Sequence, residues 1–238
     1  MNTFEDTATA RSQLFQLFAL GFTHPVVAFH RVLADDSYSQ ALVSAAAGAH
    51  CSGHFSHCET RAFDEFEADY IHLFQIGRGG KPCVALTAGD HKEIAQEQGR
   101  PEFLLEYSGW YRHFGLRVNE DEDANELPDH LVCQLEFMAW LAHLEDTARN
   151  EPALALGYQS AQRDFLQRHL QPYLEVLVTE LQRRAGQPRC NSFYLSLTAR
   201  TLEASDMILE QLEAFLAAIS QTSSSVDTDQ IATVNLWG

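Results

Sequence analysis

Asp129 and His130 stand side by side in Leu127-Pro128-Asp129-His130, and Cys133, Gln134, Glu136 and Phe137 follow within two helical turns. A carboxylate beside an imidazole can move a proton or hold a cation, and Glu136 adds a second acidic group. Asp129 at a helix start is equally explained by the exposed N–H groups and dipole it would stabilise there. At spacings of seven and four, Asp129, Glu136 and Trp140 would share a face. Such an acidic and aromatic surface suits a peptide carrying arginines and apolar residues. A second cluster, His50-Cys51-x-x-His54-x-x-His57-Cys58, offers the imidazole and thiolate ligands that zinc takes. Its spacing matches no standard finger, and Ser52-Gly53 favour a surface loop over a metal centre.

Standard catalytic signatures are missing from the sequence. Gly77, Gly79 and Gly80 lack the Gly-Lys-Ser/Thr ending of a phosphate loop, and neither Gly-x-Ser-x-Gly nor His-Glu-x-x-His occurs. A di-metal bundle needs Glu-x-x-His pairs on two helices, and Asp69-x-x-His72 is the nearest approach. A binding protein is therefore expected rather than an enzyme. The alternative is a small helical ligand- or metal-binding protein using His130 with Glu136, or the His50–Cys58 cluster.

The elements that must position these residues read as helices almost throughout. Leu14, Phe15, Phe18 and Phe22 form one apolar stripe that should stop by His24-Pro25. Shorter helices are expected around Val26–Leu33 and Tyr38–Ala49. Phe63, Phe66, Tyr70, Leu73 and Phe74 repeat helically over 61–74 before a loop imposed by Gly77, Gly79, Gly80 and Pro82. A helix over 102–114 carries Phe103, Tyr107, Trp110, Tyr111 and Phe114, with Gly115 as its stop. The acidic stretch 119–126 reads as an exposed connector, and a long helix begins at Pro128 and reaches Arg149. Further helices are expected over 156–170, 172–184 and 193–219. The result is one all-α domain, a bundle of roughly ten helices over residues 1–220, followed by a disordered tail from 221 to 238. The aromatic stripes, Tyr70 with Phe74 and Trp110 with Tyr111, are more often core than binding surface.

With 33 acidic against 16 basic residues, the formal net charge is -17, and only Lys81 and Lys92 are lysines. That field repels phosphate backbones and anionic lipid, so nucleic acid and membranes are poor partners, while a basic peptide is drawn in. The polar, acidic start at Met1–Thr9 is unlike a secretory signal, and the apolar run Leu14–Phe22 is about half of spanning length. Five cysteines at wide spacings point to reduced thiols, hence to a cytoplasmic protein.

Four stretches together resemble the TorD/DmsD/NarJ family of redox-enzyme maturation chaperones: Tyr70-Ile-His-Leu-Phe-Gln-Ile-Gly77, Tyr107-Ser-Gly-Trp-Tyr-Arg-His-Phe-Gly115, Glu126-Leu-Pro-Asp-His-Leu-Val-Cys-Gln-Leu-Glu-Phe-Met138 and Phe165-Leu-Gln-Arg-His-Leu-Gln-Pro-Tyr173. The form looks closer to chaperones of type II molybdoenzymes of the dimethyl sulfoxide reductase family. The resemblance implies an all-helical cytoplasmic chaperone, monomer or homodimer. Its implied partner is the twin-arginine signal peptide or N-terminal region of a molybdenum enzyme's catalytic subunit, held until the cofactor is inserted. It implies no permanent cofactor, with transient contact to molybdenum bis-molybdopterin guanine dinucleotide or weak GTP binding. By motif, Asp129 and His130 match the family's Asp-His pair implicated in peptide binding, and Tyr70, Leu73 and Phe74 match its apolar groove segment. Beside these, the acidic face adds Glu136. The loop Gly80-Lys-Pro-Cys-Val-Ala-Leu-Thr87 departs from the family's Pro-x-x-Pro-aromatic-x-Ser pattern and retains only Pro82.

Overall fold

The first apolar stripe becomes helix α1 (Ala8–Phe22), which buries Leu14, Phe15, Phe18, Ala19 and Phe22. It ends where Thr23 turns extended, just before His24-Pro25. The structure is a computed structural model that describes residues 4–51, 61–77, 79–95, 99–116 and 127–231. The acidic connector expected over 119–126 lies outside the described residues.

Nine more α-helical segments follow: α2 (Val27–Ala34), α3 (Ser37–Gly48), α4 (Phe63–Tyr70), α5 (Lys92–Ala95), α6 (Arg100–His113), α7 (Leu131–Thr147), α8 (Pro152–Phe165), α9 (Gln171–Gln182) and α10 (Ser192–Ile231). Among the described residues there is no strand, and one isolated antiparallel bridge joins Thr87 to His130. The all-α expectation of roughly ten helices therefore holds. Helix α7 is the central element. It is buried on most sides, through Leu131, Leu135, Phe137, Met138 and Leu141 among others, and packs most extensively on α1 and α8. A helix apolar nearly all round belongs in the middle of a bundle. Helices α9 and α10 pack on each other, and α3 covers α1.

Polar residues also enter this core. Arg11 on α1 is fully buried, and its Nη2 donates to both carboxylate oxygens of Glu145 on α7, at 2.7 and 2.8 Å. Arg11 Nη1 donates to Gln162 (2.6 Å) and Nε to Thr7 (3.2 Å). Gln159 and Gln162 donate back to Glu145 at 2.8 and 2.7 Å.

Three boundaries differ from expectation. Helix α7 begins at Leu131, because Leu127–His130 closes a β-turn in which the His130 N–H donates to the Leu127 carbonyl at 2.8 Å. Pro128 takes the second turn position, which its fixed φ favours, rather than a first helical position. Pro172 does not separate two helices: α8 runs through a π turn (Leu166–Leu170) into α9. A proline inside an α-helix clashes with the carbonyl four residues back, and the wider π turn placed just before it relieves that clash. Helix α10 passes the expected end at 219 and runs to Ile231.

Gly115 closes α6 as expected. Its φ is +80°, and the following Leu116 N–H reaches back to the Tyr111 carbonyl at 2.8 Å. Nothing lies within 4 Å of a Cβ built there, so a side chain would be penalised by the backbone alone. Gly115→Ala should cost about 1 kcal/mol, lowering the thermal midpoint by roughly 2–4 °C, as read by circular dichroism.

Among the described residues no single helix is long and apolar enough to cross a membrane. Helices α1 and α2 together reach that length, but they meet at 117° and α1 is packed on α7.

Candidate functional site

The loop from Gly77 to His91 is stitched onto the turn that precedes α7. At its start the Gly77 N–H donates to the Lys81 carbonyl at 2.7 Å. A Cβ on Gly77 would stand 2.7 Å from that oxygen and from Cys83 Sγ, so only glycine fits. The Val84 N–H then bonds the Leu73 carbonyl (2.8 Å), tying the loop to the π turn Ile71–Gln75. At the far end the Leu131 N–H donates to the Leu86 carbonyl (2.8 Å) and the Ala88 N–H to the Asp129 carbonyl (3.1 Å). Tyr111 on α6 donates its hydroxyl to the Pro128 carbonyl at 2.6 Å. Tyr173 on α9 donates to the Ala85 carbonyl at 3.2 Å. The turn is thereby held by α6, and the loop by α9.

The Asp129 side chain is wholly enclosed at this junction. Its Oδ2 accepts the Gly89 N–H at 2.7 Å and lies 3.4 Å from Arg100 Nη1, while its backbone carbonyl accepts from Gln134 Nε2 at 2.9 Å. Asp129 Oδ1, Arg100 Nη1, the Tyr107 hydroxyl and Gln134 Oε1 are buried atoms that make no hydrogen bond among the described residues. Burial pushes the Asp129 carboxyl above its ordinary range, against the opposing pull of the Gly89 N–H and the Arg100 charge.

The expected helix-capping role of Asp129 is overturned. His130 is the residue before the first turn of α7, and its Nδ1 accepts the Val132 N–H at 3.3 Å. Burial lowers the His130 pKa to about 4, so its imidazole is neutral at pH 7. The seven-residue spacing from Asp129 to Glu136 does not define a helical face, since Asp129 precedes the helix. Glu136 is exposed and lines a cleft of about 500 Å³ with Gln16, Ala139, Trp140 and His143. Partial burial raises the Glu136 pKa. Neither Asp129 nor His130 lines that cleft, so the cleft does not bring together the His130–Glu136 pair of the ligand- or metal-binding alternative. Trp140 donates Nε1 to the Phe114 carbonyl at 2.9 Å, which fixes the indole beside Glu136.

Tyr70, Leu73 and Phe74 are core rather than groove wall, at 4, 1 and 7% exposure. The Tyr70 hydroxyl donates to the Phe22 carbonyl (3.0 Å), and both rings pack against Tyr194 at centroid distances of 5.8 and 5.1 Å. Their physical role in this state is to carry the π turn on which the loop hangs. Pro82 is exposed on that loop. In the His50–Cys58 cluster, His54, His57 and Cys58 lie outside the described residues. Cys51 is buried, and its thiol is pushed up to about 11 by that burial, which disfavours the thiolate a metal would need.

Gly89 and Arg100 were not visible as site residues in the sequence. Gly89 meets Asp129 across 40 positions through a loop closure, and neither helical spacing nor local motif encodes that meeting.

The profile of the nitrate reductase delta subunit family matches residues 34–179, a span that contains the loop, the turn, α6 and α7. The chain belongs to that family. It is 36% identical over 234 residues to the dimethyl sulfide dehydrogenase assembly chaperone protein of Rhodovulum sulfidophilum, covering 97% of this chain and 93% of that one. It is 32% identical to the perchlorate reductase assembly chaperone protein of Dechloromonas aromatica (strain RCB), over 89% of this chain and 97% of the relative. To the chlorate reductase assembly chaperone protein of Ideonella dechloratans it is 34% identical, over 73% and 78% respectively. No solved structure matches the chain. The family expected from the four motifs is the one found. Its members here are named as assembly chaperones, not catalysts, and the non-enzyme reading of this chain stands with them.

Proposed function

We propose that this protein is a system-specific assembly chaperone that binds the twin-arginine signal peptide or N-terminal region of a molybdenum enzyme's catalytic subunit before the cofactor is inserted. The observation that carries this reading is the Asp129 carboxylate. It is fully enclosed, with one oxygen lacking a hydrogen bond among the described residues, at the junction that bears the family's Asp-His motif. A buried carboxylate with open acceptor capacity is the group a guanidinium satisfies best. Glu136 beside the fixed Trp140 indole offers the same chemistry in a more exposed form, a carboxylate next to a ring over which a guanidinium stacks. The net charge of -17 speeds the approach of a basic peptide. Tyr70, Leu73 and Phe74 contribute indirectly, from the core, by carrying the π turn on which the Pro82 loop hangs.

The molybdenum cofactor is cargo of the client on this reading, met only while the client is held. Among the described residues no group of three or more His, Cys, Asp or Glu side chains is placed to hold a metal ion. The setting we propose is the cytoplasm, where signal peptide and unloaded subunit coexist.

Titration calorimetry with a synthetic twin-arginine peptide tests the proposal. Asp129→Ala should weaken binding by about thirtyfold, roughly 2 kcal/mol, with unchanged far-ultraviolet circular dichroism. Equal affinity in the variant and the parent protein would sink it.

A further inference from the structure

Among the described residues, Arg11–Glu145 and Arg100–Asp129 each bring a guanidinium to a buried carboxylate, and they are built differently. A third buried carboxylate, Asp69, lies 3.8 and 3.9 Å from the exposed Arg61 and Arg189 but also accepts from Asn191 Nδ2 at 3.1 Å. Arg11 and Glu145 meet through two short hydrogen bonds, and the neighbouring glutamines and Thr7 complete the set. That is the construction of a permanent structural pair. Arg100 and Asp129 approach only to 3.4 Å, and Arg100 Nη1 stands equally far, at 3.4 Å, from Asp90 Oδ1. Nη1 is buried and makes no hydrogen bond to either carboxylate, and Asp129 Oδ1 makes none among the described residues.

Access differs as well. The Arg11 side chain is wholly enclosed, whereas the Arg100 side chain is 33% exposed while its partner Asp129 is at 0%. The Arg100 side chain therefore leads from solvent to an otherwise enclosed carboxylate. Gly89 shapes the end of that passage. A Cβ there would lie 2.0 Å from Arg100 Nη1 and 3.0 Å from Asp129 Oδ2, so the space admits a flat group and little else. Arg100 is the first residue of α6, after an extended Gly99. A first-turn residue makes no intrahelical N–H bond, so its side chain can swing outward without breaking the helix.

We propose that Arg100 is an internal stand-in for a client arginine: its guanidinium occupies the Asp129 slot in the free protein and leaves when a guanidinium of the bound peptide takes its place. This rests on the reading that Asp129 receives peptide arginines. In the free protein the stand-in keeps a buried carboxylate from being left without a counter-charge. In the complex it competes with the client, so the affinity is reduced by the fraction of molecules in which Arg100 fills the slot, and release is eased.

The test compares the parent protein, Arg100→Ala and the double variant Arg100→Ala/Asp129→Asn. Arg100→Ala should bind a twin-arginine peptide about tenfold more tightly than the parent, and the double variant should lose that gain. Arg100→Lys keeps the charge without the planar fork and should shift affinity the same way by a smaller factor, which covers the case of an Arg100→Ala chain that does not fold. In a second arm without peptide, millimolar ethylguanidinium should raise the thermal midpoint of Arg100→Ala saturably, and leave the parent and the double variant unmoved. Peptide affinity that is unchanged or weaker in both Arg100 variants overturns the stand-in, as does absence of rescue. The failures are distinguishable: a parent protein that binds peptide without any gain in the variants removes the stand-in alone, while a parent that binds no peptide removes the Asp129 reading with it.

Discussion

Glu145→Ala should lower the thermal midpoint by about 10 °C, and Arg11→Ala should do nearly the same. Each removes one partner of a charge pair enclosed between α1 and α7, with side-chain exposures of 0% for Arg11 and 3% for Glu145. Truncating one member of such a pair leaves the other charge buried and uncompensated, at a cost of about 3–5 kcal/mol. In a chain of this length each kcal/mol moves the midpoint by roughly 2–4 °C. The surrounding bonds compound the loss. Without Glu145, Gln159 loses the acceptor of its Nε2 and Gln162 one of two, because its Nε2 also reaches the Tyr158 carbonyl. Without Arg11, Glu145 keeps both glutamines but not its counter-ion, and the Phe4 ring loses the guanidinium 4.2 Å from its centroid. An apolar double replacement, Arg11→Met with Glu145→Leu, should fall less far than either single change, because both desolvation penalties vanish together. Melting curves of the three variants decide the matter. Single variants that melt within about 2 °C of the parent would refute the account.

Arg11 also marks where sequence reading stops. Nothing local in Ala8-Thr-Ala-Arg-Ser-Gln marks it for burial, yet it is among the most buried of the described residues. Its partners lie 134 and 151 positions away, and no local period records them. The apolar stripes were legible because they are local. Leu14, Phe15, Phe18 and Phe22 repeat at helical spacing, and each is buried where the period places it. The Leu127–His130 segment was legible as a place but not as a geometry. The motif located it, whereas the turn at Pro128 moved the helix start to Leu131 and turned Asp129 inward. Tyr70 and Phe74 carry the same lesson from the other side. Residue type fits an aromatic core and an aromatic groove equally, and only the approach of Tyr194 from α10 decides for the core.

Acid should destabilise this fold well above the pH at which most carboxylates titrate. Burial lowers both His130 and His169 to about 4, from an ordinary value near 6.5, and the Arg168 charge adds to the effect on His169. The His169 ring lies 4.9 Å from Tyr107 and 5.0 Å from Phe165, an enclosed aromatic setting that disfavours a charged imidazole. The half-exposed Glu106 carboxylate 3.4 Å from its Nε2, shared with Arg168, opposes this without reversing it. Between pH 6.5 and 4 the unfolded chain binds these protons and the folded chain does not. The stabilising contribution of neutral imidazoles is therefore complete above pH 6.5 and is lost as pH falls towards 4. A depression of this size is worth roughly 3 kcal/mol for the nearly enclosed His169, and less for half-buried His130. The raised carboxyls of Asp129 and Glu136 act in the opposite sense, since the folded state takes up their protons first on acidification, and they offset part of the loss. The urea midpoint should hold between pH 7.5 and 6.5, then fall steadily to pH 4.5, and His169→Gln should flatten that fall by about half. A midpoint constant from pH 7.5 to 5 would mean that these imidazoles take up protons without unfolding, and that burial does not govern them.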